Sequence, residues 1–364
     1  MKIESDQLPV FALNSLSHQT DEDGYVSLFR FSENQMNYYA ENSFFHLMSL
    51  CSSGVCLYFG TDGNQVTLDC RTADLSRKML VQIREEMSLG EILQRFGETV
   101  IKVNQARSRL DIVQHFDLYQ DDHYCRAVRT GNNEINLKLD NPEHQNVIVK
   151  IWLPLFKTLS IRSLASDGAI WPVESGRPRL LALGDSITQG FVAGKPSLSY
   201  VTQLAELLEV DAINQGIGNI THEAGILTDW ENLPCPDLVI SAYGTNDWHS
   251  GKDMTEIELA MRAYYERLFS VFSEVPIYIL TPIWRDDFRE AKSCGSFSEL
   301  TECIRTIVRE SGREKTWLMD GLSVSPHNPA CYSDGWLHPN VTGFSYMASR
   351  LYRIMKNWNN EVIV

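Results

Sequence analysis

None of the eight cysteines (Cys51, Cys56, Cys70, Cys125, Cys235, Cys294, Cys303, Cys331) stands in a CxxC pair, so neither a zinc knuckle nor a dithiol redox motif is spelled out. Positive charge is also in short supply: 32 Lys and Arg face 47 Asp and Glu, for a net charge of -15. Such a surface repels phosphate backbones and anionic lipid, and nucleic acid is not an expected partner. Long apolar runs are missing as well. The best candidates, VIVKIWLPLF and LVISAYG, fall far short of the roughly 20 residues that span a bilayer, so no membrane association is expected. The opening MKIESDQLPV has no basic stretch leading into an apolar one, as a secretory leader requires. Together with the scattered thiols, this makes the cytoplasm the expected compartment. Two glycosylation-type triplets, Asn219-Ile220-Thr221 and Asn340-Val341-Thr342, fall inside the site segments described below and read as chance matches. There is no internal repeat and no low-complexity tract.

What is present suffices for a globular protein of two domains. The chain has 364 residues, 43% of them hydrophobic and 22% charged. Between about residues 24 and 163, short runs of strand character (YVSLFRF, VCLYFGT, QVTLDC, TVIKV, LDIVQHF, EINLKL, VIVKIWLP) alternate with turn clusters such as Thr61-Asp62-Gly63-Asn64. This pattern predicts an all-β sandwich or jelly roll over residues 1–172, with helical periodicity confined to Glu86–Phe96. Beyond Ser175-Gly176-Arg177-Pro178 the pattern changes to βα alternation. Apolar strands are expected at 179–184, 211–216, 237–244, 276–283 and 316–321. Helices are expected at 197–210, 253–272, 297–310 and 340–358. Strands apolar nearly throughout are buried on both faces, which predicts an α/β doubly wound parallel sheet, flavodoxin-like, over residues 173–364. Sites in such sheets lie at the carboxyl ends of the strands.

Four such places carry chemistry. The first strand runs into Gly184-Asp185-Ser186-Ile187, where a sharp turn exposes a serine beside backbone donors; taken alone, Gly-Asp-Ser also reads as ordinary turn chemistry. The second ends in Gly216-Ile217-Gly218-Asn219, where glycine lets backbone approach a reacting group or simply makes a turn. The third ends in Gly244-Thr245-Asn246-Asp247, offering a neutral amide donor or a helix cap. Near the end, Ser333-Asp334-Gly335-Trp336-Leu337-His338 supplies an imidazole, the side chain suited to take and return a proton near neutrality, with a carboxylate close by.

Together and in this order, the four blocks resemble those of the GDSL esterases, or SGNH hydrolases, over about residues 179 to 356. The resemblance implies a serine esterase without metal or organic cofactor. Ser186 would be the nucleophile and His338 the base; the oxyanion donors would be the Ser186 N–H, the Asn246 side chain and a backbone N–H of Gly218 or Asn219. Two departures stand out. Asn219 occupies the place of a second glycine, and Asp334 precedes His338 by four residues where the family usually spaces aspartate and histidine as DxxH. Either the loop bulges so that Asp334 reaches the imidazole, or a Ser-His dyad works without it.

The implied chemistry is acyl transfer through an acyl-enzyme, with short acyl groups, acetyl above all, as the expected cargo. Trp248, Trp284 and Trp336 lie near predicted strand ends or His338 and would suit stacking on a sugar ring, or plain packing. A small-molecule ester, including an acylated sugar, is therefore the expected substrate. No lid or basic amphipathic helix suggests a lipase acting on lipid surfaces. The β domain followed by this hydrolase resembles the layout of some two-domain carbohydrate acetylesterases, where the first domain would wall the pocket or cover a sheet edge. Two alternatives remain: an acyltransferase using the same serine, and a non-catalytic carbohydrate-binding protein in which Asp334 and His338 have lost alignment.

Overall fold

The computed structural model describes residues 1–73, 115–130 and 133–358. Its first part is two facing antiparallel sheets. One joins Ser17–Thr20, Val26–Phe29, Thr158–Ser166, Gln65–Ala73 and Asn133–Lys138 in that spatial order, with Lys2–Glu4 added on Thr158–Ser166. The other joins Ile170–Pro172, Cys56–Thr61, Val147–Trp152, His115–Gln120 and His123–Arg129, with Ala12–Leu13 added on Cys56–Thr61. Alternate residues of both sheets, among them Val26, Leu57, Phe59, Leu68, Leu118, Val149 and Ile161, point inward and fill one apolar core. The expected helix Glu86–Phe96 and strand TVIKV lie outside the described residues, as does all of LDIVQHF except His115 and Phe116.

Two helices in this part, Glu33–Tyr39 and Ser43–Ser49, were not expected from the sequence. Each has seven residues, too few turns for an apolar stripe to show as periodicity. Local capping starts them. Ser32 and Gln35 form a reciprocal capping box, and the Asn42 side chain accepts the N–H groups of Phe44 and Phe45.

From Arg179 onward the pairing is parallel. Five strands stand in the order Asp211–Gly216, Arg179–Gly184, Leu238–Ala242, Ile277–Leu280, Thr316–Met319, which is 2-1-3-4-5 in chain order. That is the flavodoxin-like winding, and its switch point falls at the carboxyl end of the first strand. Register brings the three critical strand ends level, because Gly184 pairs with Gly216 on one side and Ala242 on the other. Helices Tyr200–Leu208, Met254–Val271, Phe297–Glu310 and Val341–Met355 flank the sheet, close to the expected spans. No helix among the described residues is long and apolar enough to cross a membrane.

The apolar core on one face of this sheet continues into the first part of the chain. Phe31, Tyr39, Leu47, Met48 and Cys51 pack in one cluster with Leu183, Ile213, Ile217 and Ile226. Burying so many large side chains across the junction favours a fixed arrangement over loosely tethered domains.

Candidate active site

Ser186 is the first residue of a one-turn helix, Ser186–Gln189, that follows the first parallel strand. Asp185 caps the turn by accepting the Ile187 N–H at 2.8 Å, and Gly190, at φ 93°, ends it. The turn is possible because neighbouring backbone comes very close. A Cβ on Gly184 would lie 2.1 Å from Thr188 Oγ1, and one on Gly216 would lie 2.3 Å from the Gln189 nitrogen. The Ser186 N–H, at the first helical position, has no helical acceptor.

Ser186 Oγ lies 3.0 Å from His338 Nε2, and His338 Nδ1 lies 2.7 Å from Asp334 Oδ2. The carboxylate accepts the Nδ1 proton, which assigns the neutral imidazole the tautomer with Nε2 free to take the serine proton. Of the two options left by the four-residue spacing, the structure has the bulged loop. Gly335 adopts φ 70°, and Asp334 Oδ1 accepts the backbone N–H groups of Trp336, Leu337 and His338 at 2.9, 2.8 and 3.1 Å. Burial alone would raise the Asp334 pKa, but the His338 imidazole and the Leu337 and Trp336 N–H groups outweigh it and hold the carboxyl at about 2. Asp185 goes the other way. Burial pushes its carboxyl up to about 6, against the pull of the Ile187 N–H and His338.

The donors expected around a developing oxyanion belong to linked segments. Asn246 Nδ2 donates to the Ile220 carbonyl at 3.0 Å, and the amide's second hydrogen remains available for another acceptor. The Asp247 carboxylate strengthens the link by accepting the His222 N–H at 3.1 Å. Gly218 and Asn219 differ in a way that the sequence leaves open. The Gly218 N–H donates to Gln189 Oε1 at 2.9 Å, whereas the Asn219 N–H has no acceptor among the described residues. Asn219 sits at φ 65°, the left-handed region that asparagine tolerates better than most non-glycine residues.

The three tryptophans do not form an open stacking surface. Trp248, Trp284 and Trp336 are 1%, 5% and 3% exposed, which favours plain packing, the other option the sequence left for them, over stacking on a sugar ring. Trp248 and Trp336 instead sandwich the buried Arg285 guanidinium, at 4.8 and 4.9 Å from their ring centroids. Arg285 in turn donates to Asp287 and to the Thr245 carbonyl. Trp284 packs against Tyr332. Indole size makes burial the favourable outcome wherever a core can take it.

Several residues near the serine and histidine carried no sequence signal. The Phe191 ring meets the His338 ring edge-on at 4.7 Å, and Phe156, from the first part of the chain, packs on Phe191 at 5.5 Å. Phe44, also from the first part, lies 3.7 Å from where a Gly218 side chain would begin. All three are half-buried and lie in no motif. A second buried His-Asp pair exists, His222 and Asp247 at 3.1 Å, but its imidazole reaches the Tyr265 hydroxyl rather than a serine.

Residues 182–345 match the family model described as GDSL-like Lipase/Acylhydrolase family. Among solved structures, the salicylyl-acyltransferase SsfX3 from a tetracycline biosynthetic pathway aligns over 99% of this chain and 98% of its own, with a TM-score of 0.76 and 16% identity. A putative GDSL-like lipase from Bacteroides ovatus aligns over 98% and 97%, with a TM-score of 0.70 and 16% identity. A family two carbohydrate esterase from Cellvibrio japonicus aligns over 99% of both chains, with a TM-score of 0.63 and 16% identity. At this identity the likeness is one of fold, and it spans both parts of the chain. In a search of the curated proteins nothing matches this chain.

Proposed function

Proceeding from the GDSL-like lipase/acylhydrolase domain at residues 182–345, we propose that this protein is a serine esterase that removes short acyl groups, acetyl above all, from small alcohols such as sugars. The observation that carries the reading is the unbroken line from Ser186 Oγ through His338 to Asp334, at 3.0 and 2.7 Å. His338 Nε2 takes the Ser186 proton as the hydroxyl attacks the ester carbonyl. The imidazolium formed is stabilised by Asp334, already ionised at neutral pH. The carbonyl oxygen, now negative, is met by the Ser186 N–H, the Asn219 N–H and the second Asn246 hydrogen. The tetrahedral adduct collapses, His338 returns the proton to the departing alcohol, and an acyl-enzyme remains. Water, deprotonated by the same imidazole, then releases the acid.

The carbohydrate esterase neighbours support a sugar as the alcohol, and the half-buried Phe191 against His338, Phe156 packed on Phe191, and Phe44 near Gly218 supply apolar faces around the candidate site. A second reading, transfer of the acyl group to an alcohol other than water, is favoured by the acyltransferase neighbour. The 2.7 Å contact of Asp334 with His338 supports the enzyme reading over the non-catalytic alternative, which assumes that the two have lost alignment. The deciding experiment is hydrolysis of a chromogenic acetate ester, followed by acetylated sugars with and without added alcohol acceptors. Activity lost in Ser186→Ala is expected; equal activity in that variant would overturn the reading, and product partitioning to the added alcohol would select the transferase.

A further inference from the structure

Arg30, just past the Val26–Phe29 strand, is fully buried, and among the described residues no carboxylate pairs with it. A buried guanidinium without a counter-charge is costly and is tolerated only where its donors are well satisfied. Here four backbone carbonyls do this. Nε donates to Cys51 at 3.0 Å and Nη2 to Met48 at 2.9 Å, both within the first part of the chain. Nη1 crosses to the parallel sheet and donates to Asn214 and Gly216, each at 2.7 Å. Those two carbonyls lie on the outer side of the strand Asp211–Gly216, which is the edge of the sheet. Edge carbonyls would otherwise be left without partners in an apolar junction. The attachment is reciprocal, because the Gln215 side chain donates back to the Arg30 carbonyl at 3.1 Å.

The held strand end supports both halves of the candidate site. Asn214 Nδ2 donates to the Thr188 carbonyl at 2.7 Å, bracing the turn that carries Ser186. Gly216 leads within three residues to Asn219, past Ile217, whose N–H is fixed on the Gly184 carbonyl at 2.9 Å. We propose that Arg30 is a positioning residue for the acyl-transfer site, supplied by the β domain, which sets the nucleophile turn and the backbone oxyanion donor by clamping the Asn214 and Gly216 carbonyls. The inference rests on the serine-esterase reading and adds that the first domain is part of the catalytic apparatus without touching substrate. It predicts that the rate responds to Arg30, whereas a purely architectural clamp would change stability alone.

The test uses the full chain with Arg30→Met and Arg30→Lys, and reads the rate of Ser186 labelling by a fluorophosphonate probe alongside acetate-ester kcat and KM. Folded fraction is checked by circular dichroism at the assay temperature. A displacement of donors by a fraction of an ångström to 1 Å costs up to about 100-fold in rate. Labelling and kcat of folded Arg30→Met are therefore expected to fall about 10- to 100-fold with KM little changed, and Arg30→Lys, which keeps charge and some donors, recovers part of the loss. The pH profile of labelling stays in place, because His338 and Asp334 are untouched. Folded variants that melt earlier but label at the native rate overturn the proposal, and if Arg30→Met does not fold, Arg30→Lys decides by the same criterion. A native protein that is neither labelled nor active removes the esterase reading itself, which separates the two failures.

Discussion

Asp334 and His338 meet at 2.7 Å although His338 follows four positions after Asp334, not three. The extra residue is absorbed at Gly335, whose φ of 70° turns the loop while Asp334 Oδ1 gathers three backbone N–H groups. One carboxylate thus shapes the loop with one oxygen and orients the imidazole with the other, and its two jobs can be separated by substitution.

Asp334→Asn is expected to lower kcat by about four orders of magnitude, because the amide presents the wrong partner to Nδ1 and the imidazole loses its working tautomer. A loss below tenfold in steady-state ester hydrolysis would mean that a Ser-His dyad suffices.

The same substitution carries a pH signature in stability. The folded pKa of Asp334, about 2, lies below its ordinary 3.8, so its contribution is complete above pH 4 and is lost as the pH falls toward 2. The shift corresponds to about 2 kcal/mol. Urea unfolding of the native protein and Asp334→Asn should show a gap of that order at pH 5 that shrinks by more than half at pH 2; a gap constant with pH would contradict the assignment.

Asn246→Ala is expected to lower kcat about 100- to 1000-fold with KM little changed, as for the loss of one preorganised oxyanion donor. Since Asn246 also holds the Ile220 carbonyl, a thermal melt should accompany the kinetics. A rise in KM at constant kcat would point to ground-state binding instead.

In the proposed mechanism Asn219 acts through its backbone, so Asn219→Gly should keep kcat within a few-fold. Asn219→Val should lose both activity and stability, because a β-branched residue resists φ 65°. A valine variant that melts early, showing a displaced backbone, yet keeps near-native kinetics would count against this N–H as a donor.

Buried tryptophans and half-buried phenylalanines should separate cleanly. Trp248→Ala is expected to cost about 3–5 kcal/mol of stability, as large core truncations do. Phe44→Ala and Phe156→Ala are expected to change KM for bulky esters with little change in melting temperature. Should Trp248→Ala melt normally and bind poorly, the indole would belong to the pocket after all.

The sequence by itself determined a good deal of this. Strand and helix periodicity announced an antiparallel part followed by a parallel one. Four blocks at strand or helix boundaries, in the order of the GDSL esterases, marked Ser186, Asn246 and His338 as a candidate site through that resemblance, where each block alone also reads as a turn or cap. Tertiary structure decided what depends on neighbours distant in the chain. Whether Asp334 could reach His338 turned on one glycine dihedral, and whether Trp248 faced substrate or core turned on Arg285 and Phe297 arriving from elsewhere. Arg30 is the extreme case: it lies 184 positions before Asn214 in the chain, and only folding makes its guanidinium the partner of two edge carbonyls beside the candidate site.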